Sequence, residues 1–197
     1  MVEDPPFTAD LLRQAYSQGF FPMPHPETNE ILWFNPDPRA VFPLDAFHVS
    51  RSLRRQLRRQ SVPFQVTMNK AFRQVMAACA DRPETWITES FLSAYGDLHD
   101  TGDAHSVEVW QADVLVGGVY GVSLGGAFFA ESMFHRVTGA SKVALLHLVT
   151  HMQQRGMTLL EVQFLTPHLE SLGAVTIPRR EYLRRLSQAL VLPGRFA

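Results

Sequence analysis

The chain of 197 residues lacks features that would define several classes of protein. It has one cysteine, Cys79, which excludes an internal disulfide and fits a reducing compartment. It has no apolar run of the roughly 20 residues that a membrane helix needs. Its first residues are acidic and proline-rich, whereas a signal peptide is basic and then apolar. The sequence therefore predicts a cytoplasmic protein with no membrane segment.

Lysine is also scarce. Of the 18 Lys and Arg residues, only Lys70 and Lys142 are lysines, and the net charge of the chain is −1. Arginine binds phosphate in a forked geometry that lysine cannot match. Like charges along one helix face repel each other, so that face meets either solvent or an anionic partner such as a nucleic acid. Five arginines recur at helical spacing in a predicted helix over residues 51–60, and we call them the arginine stripe: Arg51, Arg54, Arg55, Arg58 and Arg59.

The organisation of the chain changes near residue 62. Residues 1–62 predict a small N-terminal domain with a helix over residues 8–19, short strands and the helix of the arginine stripe. Residues 63–197 alternate strands and helices and are interpreted as the second, catalytic domain. Asn69 is predicted to cap the first helix of that domain.

The second domain has the pattern of a mixed sheet with flanking helices. Strands over residues 106–110, 115–123 and 127–134 follow each other through short turns, so they form antiparallel hairpins. A helix over residues 141–155 leads to a strand over residues 159–165, and a crossover of that length predicts a parallel pair with strand 127–134. The fold class is α/β, in the α+β sense of a mixed sheet.

Polar residues interrupt two of these apolar strands. Glu131 lies in one of them, and Glu161 and Gln163 lie in the other. Because side chains alternate along a strand, Glu161 and Gln163 are expected on one face. A buried carboxylate costs several kcal/mol unless it is paired. The pattern therefore indicates either a site that handles protons or amines, or polar positions that face water.

Three further patterns are weak. The segment from Arg136 to Lys142 joins a strand to a helix and partly matches the pyrophosphate-binding turn of acyl-CoA N-acetyltransferases. His147 and His151 are four residues apart on a predicted helix, but no third ligand is evident, and no metal is predicted. Cys79 falls on an apolar stripe, where a free thiol behaves as a small hydrophobic group.

Eight segments of the chain form an ordered set, and they span residues 15–23, 32–39, 85–87, 104–110, 115–121, 131–134, 140–142 and 163–174. In these segments the chain resembles the bacterial leucyl/phenylalanyl-tRNA–protein transferases. The resemblance implies an N-acetyltransferase-like fold and transfer of Leu or Phe, with Met as a third candidate, from charged tRNA to the N-terminal α-amine of proteins that begin with Arg or Lys. A protease adaptor would then receive the product for degradation. No cofactor is implied, because the aminoacyl ester is already activated.

The resemblance also implies roles for individual residues. Glu161 would polarise Gln163, which accepts a hydrogen bond from the attacking amine, and Glu131 would hold the incoming N-terminal residue. The family has an aspartate at the position of Glu161, so the reach of this carboxylate changes. Lys142 and the arginine stripe would bind tRNA phosphates. Two indoles would flank the terminal adenosine and an apolar pocket would take the Leu or Phe side chain, so the residues expected to bind the aminoacyl-adenosine are Trp33, Trp110, Tyr120, Phe129, Ser132, Met133 and Phe134.

Two alternatives remain open on the sequence. The first is a CoA-dependent N-acyltransferase of related fold, which acetyl-CoA would protect against thermal unfolding. The second is a non-catalytic module that binds tRNA or peptide, for which Gln163→Ala would change nothing measurable.

Overall fold

A computed structural model of the chain describes residues 7–47, 55, 62–83, 85–193 and 196–197. Most of the helix predicted over residues 51–60 lies outside this part of the chain. Of the arginine stripe the structure describes only Arg55, which is helical and exposed. No described helix has the length and apolarity to cross a lipid bilayer.

The described chain begins with a helix and a small hairpin. Helix α1 spans Ala9–Ser17 and begins after Thr8, whose side chain accepts a hydrogen bond from the amide of Leu11. This confirms the first predicted helix and its cap. Strands β1 (Phe21–Pro24) and β2 (Ile31–Phe34) then pair antiparallel as a two-stranded sheet.

A seven-stranded mixed sheet forms the centre of the structure. Its strands span Arg39–Phe42 (β3), Gln65–Met68 (β4), Ala104–Gln111 (β5), Val114–Leu124 (β6), Ala127–His135 (β7), Leu159–Glu161 (β8) and Val175–Ile177 (β9). Their order in the sheet is β4-β5-β6-β7-β8-β3-β9, and among the described strands only β7 and β8 pair in parallel. The predicted hairpins and the predicted parallel crossover are confirmed. The division at residue 62 stays a prediction, and the sheet takes β3 from before that point.

Helices cover both faces of this sheet. On one face α1, α2 (Phe72–Ala80), α3 (Glu89–Asp100) and α6 (Arg179–Leu190) bury a first apolar cluster. On the other face α4 (Ala140–Gln154) buries a second cluster, against which the short α5 (Pro167–Glu170) packs. The mixed α/β class predicted from the sequence is confirmed.

The cap predicted for α2 is wrong. The residue before this helix is Ala71, and Asn69 has φ +59° in the turn ahead of it. The side-chain oxygen of Asn69 accepts from the amide of Ser106 at 3.1 Å, so the side chain ties this turn to β5 instead. Asparagine tolerates the left-handed region and bonds nearby backbone, which explains its place here.

The strand predicted over residues 159–165 is also too long, because β8 ends at Glu161. Gln163 has φ +60°, in the left-handed region, and the chain turns there. The backbone nevertheless stays attached to β3, since Val162 N donates to Ala40 O at 3.1 Å and Ala40 N donates to Gln163 O at 3.2 Å. The expectation that Glu161 and Gln163 share one strand face is therefore wrong.

Candidate active site

A β-bulge in β7 presents Glu131. Tyr120 of β6 pairs with Ser132 and Gly121 pairs with Ala130, so Glu131 is the extra residue between them. A Cβ on Gly121 would lie 2.1 Å from the carbonyl oxygen of Phe129, so only glycine permits this close approach. Bulges re-aim side chains beside active sites, and here the bulge turns a carboxylate out of the regular alternation.

Two buried tyrosines hold the Glu131 carboxylate. The hydroxyl of Tyr16 on α1 lies 2.6 Å from Oε1, and the hydroxyl of Tyr95 on α3 lies 3.2 Å from Oε2. The two tyrosine hydroxyls also lie within hydrogen-bonding distance of each other. Two hydroxyl protons cannot serve three hydrogen bonds, so the third needs the carboxyl proton of Glu131. Burial raises the pKa of Glu131 to about 8, and the hydrogen bond from Tyr16 opposes that rise. Glu131 can therefore exchange a proton near neutral pH.

The sequence reasoning missed both tyrosines. Tyr16 and Tyr95 fall on the apolar stripes of their helices and are 1% and 0% exposed, which makes them look like ordinary core residues. The signal that could have found them is their hydroxyl groups, because a buried tyrosine hydroxyl needs a hydrogen-bond partner.

Glu161 is buried at the end of β8, with 1% of its surface exposed. Its Oε1 accepts a hydrogen bond of 2.6 Å from the main-chain amide of Gln163 and lies 3.5 Å from Nε of Arg39. Burial raises the pKa of Glu161 to about 7, whereas Arg39 and the Gln163 amide lower it. The carboxylate thus contacts the backbone of Gln163 and not its carboxamide.

That hydrogen bond stabilises an unusual backbone. The left-handed conformation costs a non-glycine residue about 1–2 kcal/mol, and a hydrogen bond to a charged group contributes about 1.5–3 kcal/mol. The bond from Gln163 N to Glu161 is therefore sufficient to offset the strain at Gln163.

Glu131 and Gln163 meet at a small cavity of about 80 Å³. The Nε2 atom of Gln163 is buried and makes no hydrogen bond of standard geometry to the described residues, but the side chain of Gln163 lies close enough to Glu131 to lower the pKa of that carboxyl group. Gln163 therefore faces Glu131 at the cavity, where a bound ligand could complete its hydrogen bonding. Apart from Glu131, Gln163 and Ser132, the walls are apolar and comprise Val119, Ala130, Met133, Leu145, Val162 and Leu169.

The structure separates the residues predicted to form the apolar pocket. Met133 and Ser132 line the cavity together with Glu131 and Gln163. Phe129 and Phe134 belong to the first apolar cluster, on the face that α1, α2 and α3 cover. Phe129 contacts the ring of Tyr16, with 5.0 Å between ring centroids, so it supports the tyrosine that bonds Glu131.

The two predicted adenosine indoles lie in different neighbourhoods. Trp33 on β2 contacts Phe7, which in turn contacts Phe91 of α3. Trp110 donates from Nε1 to Thr67 Oγ1 at 2.8 Å near the far end of β5. It pairs there with Leu115, which lies five residues along β6 from Tyr120 and so ~17 Å from the bulge at ~3.4 Å per residue.

Other aromatic residues lie closer to the bulge. Tyr120 is fully buried, meets the ring of Tyr95 edge to face, and has a hydroxyl without a hydrogen-bond partner among the described residues. Trp86, to which the sequence reasoning gave no role, contacts Phe91 edge to face, and Phe91 stacks on Tyr95. The sequence feature that could have identified Trp86 was its position in the matching segment 85–87.

Basic side chains lie near the cavity and near the end of β7. Arg82 donates to Ser132 Oγ at 3.0 Å and also lines a second depression of about 270 Å³, which shares Met133 with the cavity. Arg136 lines the same depression, 3.6 Å from Asp81. On another side, burial lowers the pKa of His168, and the charge of Lys142 lowers it further. We call Arg82, Arg136 and Lys142 the basic rim, because the lowered pKa of His168 leaves that side chain neutral near pH 7.

The described residues do not favour Cys79 as a nucleophile or a cluster of metal ligands. Burial raises the pKa of Cys79 to about 12, so its thiol stays protonated. Within residues 7–47, 55, 62–83, 85–193 and 196–197, no group of three or more His, Cys, Asp and Glu side chains could hold a metal ion.

Comparison with known proteins connects this site to a family. Residues 41–187 match the family model for leucyl/phenylalanyl-tRNA protein transferase, and residues 6–37 match the model for the N-terminal domain of that enzyme. The chain belongs to the leucyl/phenylalanyl-tRNA protein transferase family. It is therefore an aminoacyltransferase, and the resemblance seen in the sequence is confirmed.

Curated relatives of this family match over nearly the whole chain. A leucyl/phenylalanyl-tRNA–protein transferase of Gloeobacter violaceus is 53% identical over 189 residues, which cover 96% of this chain and 97% of the relative. One from Salinibacter ruber is 52% identical over 183 residues, which cover 93% of this chain and 80% of the relative. Members of the family transfer an aminoacyl group from tRNA to protein.

Solved structures resemble this transferase in fold alone. The crystal structure of FemX has a TM-score of 0.51 at 11% identity, over 86% of this chain and 66% of that one. A GCN5-related N-acetyltransferase from Kribbella flavida has a TM-score of 0.45 at 10% identity, over 73% of this chain and 55% of that one.

Proposed function

We propose that this transferase moves Leu or Phe from charged tRNA to the N-terminal α-amine of cytoplasmic proteins that begin with Arg or Lys. The added residue would mark those proteins for degradation through a protease adaptor, as the N-end rule describes. The observation that carries the proposal is the meeting of Glu131 and Gln163 at one apolar-walled cavity, in a chain of this family.

The reaction needs a neutral amine and no external energy source. An α-amine has a reference pKa of about 7.7–8.0, so a modest bias toward its neutral form is enough near pH 7. The amine nitrogen forms a bond to the ester carbonyl carbon, and the bond from that carbon to the ribose oxygen breaks. The proton lost by nitrogen balances the proton gained by the ribose oxygen.

The side chains of the site fit these steps. The carboxamide oxygen of Gln163 can accept a hydrogen bond from the amine, because Gln163 lines the cavity. Burial raises the pKa of Glu131 to about 8, but a cation beside it favours the ionised form, and the carboxylate can then hold the amine or a basic N-terminal side chain. A carboxylate partner favours Arg and Lys over Asp and Glu as the first residue of the acceptor.

The apolar walls fit the transferred side chain. Val119, Met133 and Leu145 would contact an unbranched or γ-branched group such as that of Phe or Leu. β-branched Ile and Val would be rejected by shape, but each methylene changes binding by only about 1–3 kcal/mol. Moderate selectivity follows, and Met remains a candidate substrate.

Charge near the cavity fits the nucleic acid. The basic rim comes from the segment after α2, the end of β7 and α4, although the chain as a whole has a net charge of −1. Such local charge would bind backbone phosphates of the tRNA 3′ end, with the arginine stripe adding further contacts. Phosphate contacts position the nucleic acid without reading its sequence.

The turn that resembles a CoA loop disfavours the alternative of a CoA-dependent acyltransferase. Gly139 precedes α4 in a left-handed conformation, but the amide of Ala140 already donates to Val137 O. Ala140 and Ser141 are also buried. A diphosphate needs exposed amides at a helix N-terminus, and this one is largely enclosed.

The test uses the purified protein with leucyl-, phenylalanyl-, methionyl- and valyl-tRNA, and with peptides that begin with Arg, Lys, Asp or Glu. Mass spectrometry should show one added Leu or Phe on the Arg and Lys peptides, with valine poorly used. Peptides with an acetylated N-terminus are the control and should not react. Transfer to the Asp and Glu peptides, or acetylation from acetyl-CoA in place of transfer, would contradict the proposal.

A further inference from the structure

Arg39 is a buried charge that the reaction, as described so far, does not use. It begins β3 and is 1% exposed. Its guanidinium lies between two aromatic rings, 4.8 Å from the centroid of Phe21 and 4.4 Å from that of Tyr182. A buried arginine is rare unless it is paired, so the groups that contact Arg39 indicate its role.

The partners of Arg39 come from both ends of the chain and from the site. Its Nη2 donates to the carbonyl oxygen of Gly19, just beyond α1. Its Nε lies 3.5 Å from Oε1 of Glu161, which is close enough for an ion pair. Nε and Nη1 make no hydrogen bond of standard geometry to the described residues, so the attraction to Glu161 acts through charge more than through an aligned bond. The guanidinium also lies close enough to the Tyr182 hydroxyl to oppose the rise that burial causes in the pKa of that tyrosine.

The same oxygen of Glu161 faces the active site. Oε1 accepts the 2.6 Å hydrogen bond from the main-chain amide of Gln163, whose φ of +60° is unfavourable for glutamine. The carboxylate thus bridges the guanidinium of Arg39 and the turn that carries the side chain of Gln163 to the cavity. A neutral or displaced carboxylate would hold that turn less firmly.

We propose that Arg39 is a positioning residue for the transfer reaction: it keeps Glu161 in place, and Glu161 holds Gln163 in the left-handed turn that presents its carboxamide to the cavity. This inference rests on the proposed function. The inference adds a mechanism to the proposed function: Glu161 acts on the reaction through the backbone of Gln163, and Arg39 acts through Glu161.

The charges around Glu161 fix the expected direction of a pH effect. Arg39 faces it from β3, Glu131 from β7 and Tyr182 from α6. Burial raises the pKa of Glu161 to about 7, and Arg39 is the main group that lowers it. Removing the positive charge of Arg39 therefore raises the pKa of Glu161, so Glu161 becomes protonated at a higher pH than in the unaltered protein.

One measurement follows this link without relying on activity. In an NMR titration of the full chain, the Gln163 amide should report the ionisation of Glu161, and Glu161→Gln should abolish that response. In Arg39→Met, the midpoint should rise by about one pH unit or more, as expected for loss of an opposite charge within ~4–6 Å. An unchanged midpoint would overturn the proposal. Arg155→Met, at the exposed end of α4, is the matched control and should leave the midpoint in place.

Transfer kinetics give the second readout, with the folded fraction of each variant checked by circular dichroism. Arg39→Met should lower kcat about 100-fold, since a misplacement near 1 Å costs that much, while KM for aminoacyl-tRNA changes less than threefold. In the plot of kcat against pH, the fall in kcat on the acid side should occur at a higher pH for Arg39→Met than for the unaltered protein. Loss of activity that only follows the folded fraction, with the acid-side fall in kcat at an unchanged pH, would overturn the proposal.

A conservative variant covers the case in which Arg39→Met does not fold. Arg39→Lys keeps the charge but loses the planar stack between Phe21 and Tyr182. It should lower kcat about tenfold with little movement of the acid-side fall in kcat, because the positive charge remains near Glu161. A kcat within twofold of the unaltered protein would refute the positioning role. If the unaltered protein transfers nothing, the proposed function fails, while the NMR titration still decides the role of Arg39.

Discussion

At the residue scale, the site consists of two polar side chains whose surroundings differ. Gln163 lines the cavity, and its side chain lies close enough to Glu131 to lower the pKa of that carboxyl group. Glu131 is held by Tyr16 and Tyr95, and burial raises its pKa to about 8. The first arrangement suits contact with the reacting amine, and the second suits a carboxyl group that ionises beside a cationic acceptor.

Replacing Gln163 tests the first of these roles. Gln163→Ala should lower transfer by at least ~100-fold, the low end of what a positioned hydrogen-bonding group contributes, while tRNA binding measured by filter retention stays within about twofold. Gln154→Ala, an exposed glutamine at the end of α4, should leave both quantities unchanged. If the Gln163 variant transfers Leu at the normal rate, the proposed mechanism is wrong.

The raised pKa of Glu131 predicts how stability depends on pH. A carboxyl group whose pKa rises on folding, here from 4.5 to about 8, contributes its stability at low pH and loses it as pH rises through that range. Thermal unfolding should therefore show a lower Tm at pH 8.5 than at pH 5.5. Glu131→Gln should weaken this dependence, leaving the part that the raised pKa of Glu161 contributes, and should raise Tm at pH 8.5 by at least ~3 °C, which corresponds to about 1 kcal/mol. An identical pH dependence in the variant would contradict the burial of an ionisable Glu131.

The sequence identified the polar residues but not their geometry. Glu131, Glu161 and Gln163 were visible because they interrupt apolar runs. The turn at Gln163 was not visible, because apolar residues continue through Leu165 as they would in a strand, and the turn depends on contacts with Ala40 and Glu161 that are distant in sequence. Arg39 was hidden for the same reason, since its partners lie on other elements.

At the element scale, the bulge of β7 against β6 sets the direction of Glu131. Hairpins β5–β6 and β6–β7 could be predicted from short turns and alternating apolar residues, because those signals are local. The bulge could not, because it depends on how the backbones of β6 and β7 approach each other across the sheet. Gly121 was a hint, since glycine inside a strand often marks a bulge or a close approach.

Adding one methyl group at Gly121 tests the bulge. The new Cβ would collide with the carbonyl oxygen of Phe129, so Gly121→Ala must shift β7. We expect a loss of about 1–3 kcal/mol in the free energy of unfolding and a larger fall in transfer, because Glu131 moves. Gly96→Ala in α3 is the control, where the new atom would meet the flexible side chain of Arg73. Wild-type stability and activity in Gly121→Ala would contradict the account of the bulge.

At the scale of the whole molecule, distant parts of the chain assemble the site. Tyr16 comes from α1, Arg39 from β3, Glu131 from β7 and Gln163 from the turn after β8. The C-terminal helix α6 adds Tyr182. The mixed sheet could be predicted, but the insertion of β3 between β8 and β9 could not, because strand order across a long connection leaves no local pattern.

Binding of tRNA is a property of the whole surface and should depend on salt. Changing Arg51, Arg54, Arg55 and Arg58 of the arginine stripe to Ala should weaken tRNA binding. The negative slope of log K against log salt should also become shallower, by roughly 0.7–0.9 for each phosphate contact that is lost. Arg155→Ala should leave that slope unchanged. Equal affinity of the quadruple variant and the unaltered protein, at both ~50 and ~200 mM salt, would rule out the stripe as a phosphate contact.

The most direct test of the central claim is a single-turnover reaction of excess protein with radiolabelled leucyl-tRNA and a peptide that begins with Arg. Label should pass from tRNA to the peptide as a stable amide in the unaltered protein, and should remain on the tRNA with Gln163→Ala although the tRNA is bound. Equal label on the peptide with both proteins, or none with the unaltered protein, would contradict an active site built on Glu131 and Gln163.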